Sequence, residues 1–462
     1  MGGMRVKLIG LSVEKLYGSY NYEVSFNHDV TFIYGTNGCG KTTILNITEA
    51  IITGHLFKLF KYSFKRIELE YSKKNSRDVQ KIVIVQNKKC LDVTYNGSTF
   101  QVNEIDLPDV RRIPDRERDE AIKRYFHKYP KLNEIKEVFN YVYLPLNRTH
   151  SSFIPVDSAY YQYVQYNEYF RYQDSGFFDD GARKTNSIQD RAITEVEELI
   201  YRQCSRINVN LNKISDAFRN SIVQSALSVQ TETKTQDFID FIIKNQNFKK
   251  ELSETQSAYL SILDGLNLTS INKNSGTINK LFDDALQQYE AIQAGDTEKV
   301  DIFNFYHKYC EIAKIKSIVK FAEETEERKS KVRKPIEVFL DTMNSFIRNT
   351  DEGKEIRLDP MGQVYFVTKF SKQKISVHNL SSGEKQLLIF FANLIFGVKS
   401  DSSGIFVVDE PELSLHLDWQ RIFVEKTMEV TPNIQLIFAT HAPEIIGRHR
   451  DKMFKLEKEY AK

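Results

Sequence analysis

The chain has 462 residues, of which 41% are hydrophobic and 27% charged, and its formal net charge is +2 at neutral pH. This length allows two or three domain-sized units, and the balanced charge excludes a global attraction to nucleic acid or acidic membranes. The four cysteines form no C-x-x-C pair, which argues against a zinc site and a disulfide framework. No apolar run approaches the roughly 18–20 residues of a membrane helix, and the N-terminus lacks a signal pattern. A cytoplasmic location without a membrane partner is therefore expected.

The first part of the chain predicts an α/β unit. A helix is expected from Lys41 to about Thr53, and residues 67–102 alternate like an antiparallel meander. Within the meander, Asn96-Gly97 is typical of a two-residue hairpin turn, because a type I′ turn requires positive φ at both positions. A charged helical stretch at 109–138 and a strand at 142–144 follow. The strands predicted before Lys41 are Val6–Leu11, Tyr22–Phe26 and Val30–Tyr34.

The middle of the chain predicts an insertion. Residues 151–186 are rich in tyrosine, serine and glycine without a clear period, and we interpret them as a long irregular loop. From about 188 to 346, apolar residues recur at helical spacing, with breaks expected at Gly265, Gly276 and Gly295. Strand signals then return at 364–370 and 375–377. The predicted fold is a split α/β head formed by 1–150 and 351–462, with a mixed sheet, an antiparallel lobe and an all-helical insertion within 151–350.

The segment Gly35–Thr42 (GTNGCGKT) carries the most specific signal. It matches the phosphate-loop pattern G-x-x-x-x-G-K-[ST] at every fixed position, between a predicted buried strand and a helix. Backbone N–H groups and the helix N-terminus would cradle the phosphates of ATP. Lys41 would reach the β- and γ-phosphates, and the Thr42 hydroxyl would bind Mg²⁺. The candidate nucleotide-binding residues here are Gly35, Asn37, Gly38, Cys39, Gly40, Lys41, Thr42 and Thr43.

A second motif, Gly404–Glu410, places two carboxylates after four apolar residues. This pattern is typical of a buried parallel strand whose C-terminal end carries charge into a site. Asp409 would hold Mg²⁺, and Glu410 would orient and deprotonate the attacking water. Both roles belong to the same ATP site as Lys41, which is a candidate catalytic residue with Glu410.

Two further motifs follow the insertion. Leu380–Glu384 opens an apolar helix predicted over Lys385–Phe396, with Ser381 or Ser382 as its N-cap. In this order the segment resembles the signature motif of ABC-type ATPases. A short strand ending at His441 resembles the switch histidine of the same family, which senses the γ-phosphate. The resemblance adds His441 as catalytic and Ser381, Ser382, Gly383 and Glu384 as nucleotide-binding candidates.

The set of motifs resembles the OLD-like AAA group of ABC-type ATPases, whose end motif D-E-P-E-x-x-L-H is nearly matched by Asp409–His416. The resemblance implies a homodimer that clamps two ATP molecules, each γ-phosphate contacting the facing subunit's signature motif, with higher assembly of dimers a further expectation. Residues 411–416 resemble the D-loop, which crosses that interface. Glu412 and His416 are left open between catalytic and interface or capping roles.

Two parts of the site have only weak sequence signals. The segment after the 142–144 strand contains no glutamine for a glutamine loop, so Asn147 or Arg148 substitutes, or neither does. Adenine would stack on Tyr17 or Tyr20, since base–aromatic stacking tolerates sequence variation.

The arrangement of motifs also narrows the class of ATPase. Transporter subunits keep the phosphate loop and signature close together, whereas most of this chain separates Lys41 from Ser381. Only a short tail follows His441, so a Toprim nuclease is expected on a separate polypeptide. The resemblance is then to ATPase subunits of two-gene anti-phage systems, the AriA family of PARIS first and the PtuA family of Septu second. It implies a separate Toprim or HNH nuclease effector and a phage-derived trigger.

Two alternatives remain open. The first is a DNA-repair ATPase that binds DNA directly. The basic residues between Lys314 and Lys334 would support it, but the interleaved glutamates favour a solvated helix face. The second is a non-catalytic scaffold, against which stand the intact Lys41, Asp409 and Glu410.

Overall fold

The computed structural model describes residues 6–73, 78–106, 115–139, 141–144, 188–227, 247–265, 272–296, 300–348, 353–359, 361–370, 373–397 and 404–461. The chain divides into two compact units, one formed by Met1–Cys204 with Pro335–Lys462 and the other by Ser205–Lys334.

The described strands and helices follow the predicted order. The strands are β1 (Val6–Leu16), β2 (Tyr20–Ser25), β3 (Val30–Tyr34), β4 (Arg66–Lys73), β5 (Val79–Asn87), β6 (Cys90–Tyr95), β7 (Ser98–Asn103), β8 (Tyr141–Leu144), β9 (Lys354–Leu358), β10 (Val364–Thr368), β11 (Lys374–Ile375), β12 (Ile405–Asp409), β13 (Gln435–Ala439), β14 (Met453–Lys455) and β15 (Glu459–Tyr460). The helices are α1 (Lys41–Ile52), α2 (Asp115–Lys128), α3 (Pro130–Val138), α4 (Ile188–Leu227), α5 (Phe248–Gly265), α6 (Asn272–Ala294), α7 (Ile302–Ile347), α8 (Ser382–Phe396), α9 (Leu417–Val430) and α10 (Pro443–Ile446).

A five-stranded sheet joins the two ends of the chain. Its order is β14-β3-β13-β12-β8, and every pair in it is parallel. Every residue of β12 and β13 is buried, which explains why these strands read as unbroken apolar runs. Because β3 lies between β14 and β13, neither end of the chain can form this sheet alone. The predicted split α/β head is therefore present.

The antiparallel strands form separate sheets, so the sheet that carries the Gly35–Lys41 loop contains parallel pairs only. Seven strands have the order β15-β2-β1-β4-β5-β6-β7, and three more the order β11-β10-β9. Asn96 and Gly97 have φ values of 47° and 73°, and Tyr95 pairs with Ser98 across them. The predicted two-residue hairpin is confirmed.

A buried glutamine connects the parallel and antiparallel sheets. Gln435, at the start of β13, donates from its amide to the carbonyls of Leu8 (2.9 Å) and Asn27 (2.7 Å). Its Oε1 accepts from the Leu8 N–H at 2.8 Å. Since a buried amide is costly unless its hydrogen bonds are made, these bonds hold β1 against β13 in one register.

The second unit is helical and has its own small core, formed by Phe248, Leu252, Phe282, Ala285, Tyr289, Phe305 and Ile312. Gly265 ends α5 and Gly295 follows α6 with a φ of 72°, as expected. The break expected at Gly276 was wrong, since α6 runs through it. A glycine costs a helix only about 1 kcal/mol relative to alanine, and α6 buries Phe282 and Ala285 in this core.

Some predictions fall outside the described residues. The irregular loop at 151–186 lies there, and so do the residues at the predicted domain boundaries, 150–151 and 350–351. Those boundaries stay a prediction. Within the described ranges, no helix combines the length and apolar character needed to cross a bilayer.

Candidate nucleotide-binding site

Three loops that carry predicted site residues leave the same edge of the parallel sheet. Gly35 follows β3, Glu410 follows β12 and His441 follows β13 by two residues. The strands are neighbours in the order β3-β13-β12 and all run parallel, so their carboxyl ends lie together. The topology therefore brings together residues from opposite ends of the chain.

The Gly35–Lys41 loop has the backbone of a phosphate cradle. Gly38 and Gly40 have φ values of 76° and 107°, a region that favours glycine. Lys41 begins α1, and its buried Nζ donates to the Gly35 carbonyl at 3.1 Å. Asn37, Gly38 and Thr42 are exposed, and Thr43 is partly exposed. The loop is thus curled around its own lysine with its outer side open.

Cys39 and Tyr22 support this loop from beneath. Cys39 is buried, and a Cβ added to Gly35 would lie 2.7 Å from its Sγ. Tyr22, on β2, donates its hydroxyl to the Cys39 carbonyl at 3.0 Å, and a Cβ on Gly40 would meet that hydroxyl at 2.9 Å. Burial raises the pKa of Tyr22 to about 12, so the hydroxyl remains a donor. Sequence reasoning missed Tyr22, because strand alternation signals only that it faces inward.

Asp409 ends β12 with a carboxylate that lacks protein partners. The residue is 4% exposed, and neither carboxylate oxygen has a hydrogen-bond partner among the described residues. Burial raises its pKa to about 6; the Thr42 hydroxyl, close by but without a well-formed bond, and the Lys41 charge oppose this, while Glu410 and Glu412 add to it. Because buried carboxylates are normally paired or bound to metal, the two free oxygens beside Thr42 fit a Mg²⁺ ion.

Glu410 has an unusual backbone conformation. Its φ is 48°, a left-handed value that costs a residue with a Cβ about 1–3 kcal/mol. Its N–H donates to the Ala439 carbonyl at 2.8 Å, which holds the turn against the end of β13. The Glu410 Oε1 lies 3.9 Å from the Nε2 of His441, and both side chains are partly accessible. The turn thus places a carboxylate and an imidazole at one accessible position.

Glu412 and His416, which sequence reasoning left open, have different surroundings. One Glu412 oxygen, Oε1, accepts the His441 N–H at 2.8 Å; the other, Oε2, is buried without a hydrogen-bond partner in the described ranges. His416 is the N-cap of α9, and its Nδ1 accepts from the Asp418 N–H at 3.4 Å. The capping alternative for His416 is therefore realised, whereas Glu412 connects two loops of the site.

The signature-like segment begins α8 with a complete capping box. Ser381 is the N-cap, which confirms one of the two predicted caps. Its hydroxyl accepts from the Glu384 N–H at 3.3 Å and donates to Glu384 Oε2 at 2.8 Å, and Oε2 also accepts the Ser381 N–H at 2.8 Å. Glu384 is buried and pairs with Lys354. Ser382 is exposed at the same helix end.

This helix start packs on the D-loop-like segment of its own subunit, residues 411–416. A Cβ added to Gly383 would lie 2.4 Å from the Ser414 carbonyl oxygen, so only glycine fits without a shift. The Gln386 amide donates to the Pro411 carbonyl at 3.1 Å. These contacts join the signature-like segment to the loop that follows Asp409 and Glu410.

The weaker sequence candidates are placed as follows. Tyr17 is 54% exposed and meets Tyr62 edge-on. The Tyr20 ring packs against Tyr460 at 5.6 Å, with the Lys458 ammonium 4.8 Å from its centre. Tyr17 thus has the more accessible ring for adenine. Asn147 and Arg148 lie outside the described residues.

The sequence matches the family model of the AAA ATPase domain over residues 15–446. Among curated proteins it is 22% identical over 457 residues to the Retron Ec83 probable ATPase of Escherichia coli, covering 96% of this chain and 70% of that protein. It is 29% identical over 128 residues to the Retron Vc95 probable ATPase of Vibrio cholerae serotype O1 biovar El Tor. The latter match covers 26% of this chain and only 24% of the Vibrio protein's length.

Two solved structures resemble the chain weakly. One is the Smc head domain of Pyrococcus furiosus with an extended coiled coil, bound to the C-terminal domain of ScpA; it has a TM-score of 0.37 and 12% identity over 98% of this chain and 96% of its own. The other, the Smc head of Pyrococcus yayanosii with a coiled coil and joint, has a TM-score of 0.35 and 12% identity over 99% and 97%. Both scores are low, and the fold is defined by its own strand order.

Proposed function

The chain belongs to the AAA ATPase domain family, and on that premise we propose that it binds and hydrolyses ATP with Mg²⁺ as a homodimer. The observation that carries the proposal is the buried Asp409 carboxylate, whose oxygens have no hydrogen-bond partner in the described residues although Thr42 and Lys41 lie nearby. A carboxylate facing a phosphate loop in this way suits a nucleotide-bound cation.

The chain's own residues divide the work of binding. The N–H groups of the Gly35–Thr43 loop and the N-terminus of α1 receive the phosphates. Lys41 exchanges the Gly35 carbonyl for the β- and γ-phosphates, since its Nζ already points into the loop. Thr42 and Asp409 would hold Mg²⁺, which when bound neutralises phosphate charge.

Glu410 and His441 are proposed to act on the γ-phosphate side. Glu410 orients the attacking water and accepts its proton, and the strained turn holds the carboxylate in an accessible position for this task. His441, with its Nε2 3.9 Å from the Glu410 Oε1, is placed to contact the γ-phosphate beside that water. Hydrolysis then needs no further acid or base from the chain.

The facing subunit would complete the site with the start of its α8. Ser382 and the first N–H groups of the helix are open to an incoming phosphate, as the signature resemblance implies. Glu384 takes a different part, because its carboxylate is buried in the capping box and in the Lys354 pair. We therefore propose that Glu384 shapes the segment rather than binding the nucleotide.

We further propose that this ATPase regulates a separate toxic effector in bacterial anti-phage defence. The names of the two relatives, both probable ATPases of retrons, support a component that acts with others. The motif resemblance to the AriA and PtuA families supports a Toprim or HNH nuclease as the effector and a phage-derived trigger. ATP-dependent dimers, with higher assembly of dimers, would set the effector's state. The gene adjacent to this one tests the proposal: a nuclease gene is expected.

Direct DNA binding is the second candidate function, and the basic stretch of α7 gives it little support. Lys314, Lys329 and Lys331 pair with glutamates three or four residues away on the same helix. Lys316 pairs with Glu251 of α5 at 3.0 Å. Lysines neutralised in this way form a solvated helix face. Salt-sensitive DNA binding by the chain alone would favour the DNA-repair reading instead.

The catalytic proposal is tested with Glu410→Gln. This variant should bind ATP and Mg²⁺ but release phosphate about 10²-fold or more slowly, because the basic carboxylate is gone. ATP-loaded dimers should then accumulate, which size-exclusion chromatography with and without ATP would detect. Glu429→Gln, on the exposed side of α9, is the matched control and should behave as wild type. Wild-type hydrolysis by Glu410→Gln would remove Glu410 from the mechanism.

A further inference from the structure

A buried ion pair lies beneath the signature-like segment. The Nζ of Lys354, the first residue of β9, is 3.1 Å from Glu384 Oε1 and 3.3 Å from Oε2. The Glu384 side chain is 5% exposed and that of Lys354 15%. Nothing in the motif pattern indicates Lys354, which precedes Glu384 by 30 residues.

The ion pair determines the charge at the start of α8. A helix N-terminus carries about half a positive charge, which suits a phosphate. The Glu384 carboxylate, bound to the Ser381 N–H and hydroxyl at 2.8 Å each, adds a full negative charge at the same place. Without a cation the helix start would therefore repel a phosphate. With Lys354 the carboxylate is neutralised, and the helix charge remains available.

Lys354 also gives the carboxylate a partner that does not depend on Ser381. The Ser381 hydroxyl now donates to Glu384 Oε2, so it must leave that oxygen before it can donate to a phosphate. A buried carboxylate that loses a hydrogen bond is destabilised unless another partner stays in place. The Lys354 ammonium is that partner, and it is carried by a strand paired with β10 through Thr368.

We propose that Lys354 is a positioning residue for the signature-like segment: it neutralises Glu384 so that Ser381–Gly383 can receive the γ-phosphate held by the facing subunit. The inference rests on the proposed function, since it assigns a task within the shared ATP site. Lys354 itself touches neither nucleotide nor water in this scheme. It acts through the charge and position of Glu384.

The test separates charge compensation from general stability. Lys354→Met leaves Glu384 charged and unpaired, while Lys354→Met/Glu384→Gln removes both charges and keeps the cap, because Gln also serves in a capping box. Lys354→Arg keeps the cation. Arg357→Met is the matched control, since it removes a cation of the same strand from an exposed pair with Glu355. Each variant is assayed for ATP affinity, for kcat of phosphate release and for thermal unfolding.

Lys354→Met should lower kcat about tenfold or more, because an uncompensated buried carboxylate opposes the phosphate, while ATP affinity at the Lys41 loop changes less than about twofold. The double variant should recover most of the lost kcat, and Arg357→Met should match wild type. A double variant as slow as Lys354→Met would overturn the proposal, as would a normal kcat for Lys354→Met.

If Lys354→Met fails to fold, the double variant decides the matter: a folded, active protein supports charge compensation, and an inactive one overturns it. If the wild-type protein hydrolyses no ATP, the proposed function itself fails. Wild-type hydrolysis with an indifferent Lys354→Met overturns only the inference.

Discussion

Glu412 holds the backbone of His441, since its Oε1 accepts the His441 N–H at 2.8 Å. The bond joins the loop after β12 to the loop after β13, and the second oxygen, Oε2, is buried with no hydrogen bond to any described residue. The same loop meets α8 through the Gln386–Pro411 bond. The position of the histidine therefore depends on a carboxylate three residues after Asp409.

Removing this acceptor should displace His441 without affecting the phosphate loop. Glu412→Ala should lower kcat about 10–100-fold, the equivalent of a lost hydrogen bond to a charged group, with little change in ATP affinity. Glu412→Gln keeps a carbonyl acceptor and should retain most activity. Phosphate release and nucleotide titration measure both quantities. A Gln variant as slow as the Ala variant would show that the charge, not the acceptor, is required.

Tyr22→Phe should weaken ATP binding about 3–10-fold, because the loop loses one hydrogen bond at the Cys39 carbonyl while the ring that packs beneath Gly40 remains. Tyr20→Phe is the matched control on the same strand, since no hydroxyl contact of Tyr20 enters the loop description. Titration with a fluorescent ATP analogue measures the affinities. Equal affinities for both variants would mean that the ring alone supports the loop.

A bulky charge at the start of α8 should stop hydrolysis but not binding. Ser382 is the position to change, because Ser381 forms the cap and Gly383 has no room for a side chain. Ser382→Arg should bind ATP and hydrolyse little, and Lys41→Ala should not bind ATP. In mixed dimers of the two variants, one shared site carries both lesions and the other is intact. Partial recovery of activity is expected; none in demonstrated heterodimers would contradict shared sites.

Asp409 should make the Mg²⁺-free protein less stable as the pH rises. Its pKa is raised to about 6 in the folded protein, against 3.8 as the ordinary value, so its destabilising effect is absent at low pH and complete above pH 6. Asp409→Asn should therefore be more stable than wild type by about 1–3 kcal/mol at pH 7.5 and nearly equal at pH 4. Thermal unfolding at both pH values measures this. A gap independent of pH would exclude titration of Asp409 as the cause.

Much of the fold was determined by local pattern. The Asn96-Gly97 hairpin, the cap at the start of α8 and the buried strands β12 and β13 each follow from residues close together in sequence, because turns, caps and alternation depend on neighbouring dihedrals and side chains. The split head followed from the order of such segments. The roles given to Lys41, Asp409, Glu410 and His441 come from motifs of the same local kind, and they stay proposals.

Only the tertiary structure decided which side chains support those motifs. Tyr22 meets the Gly35–Lys41 loop, Lys354 meets Glu384 and Glu412 meets His441 across separations of 17, 30 and 29 residues. Strand register and sheet order set these contacts, and many registers are compatible with the same alternation of apolar residues. A single hydrogen bond or ion pair leaves no periodic trace in a sequence, so these partners became visible only once the strands had been placed side by side.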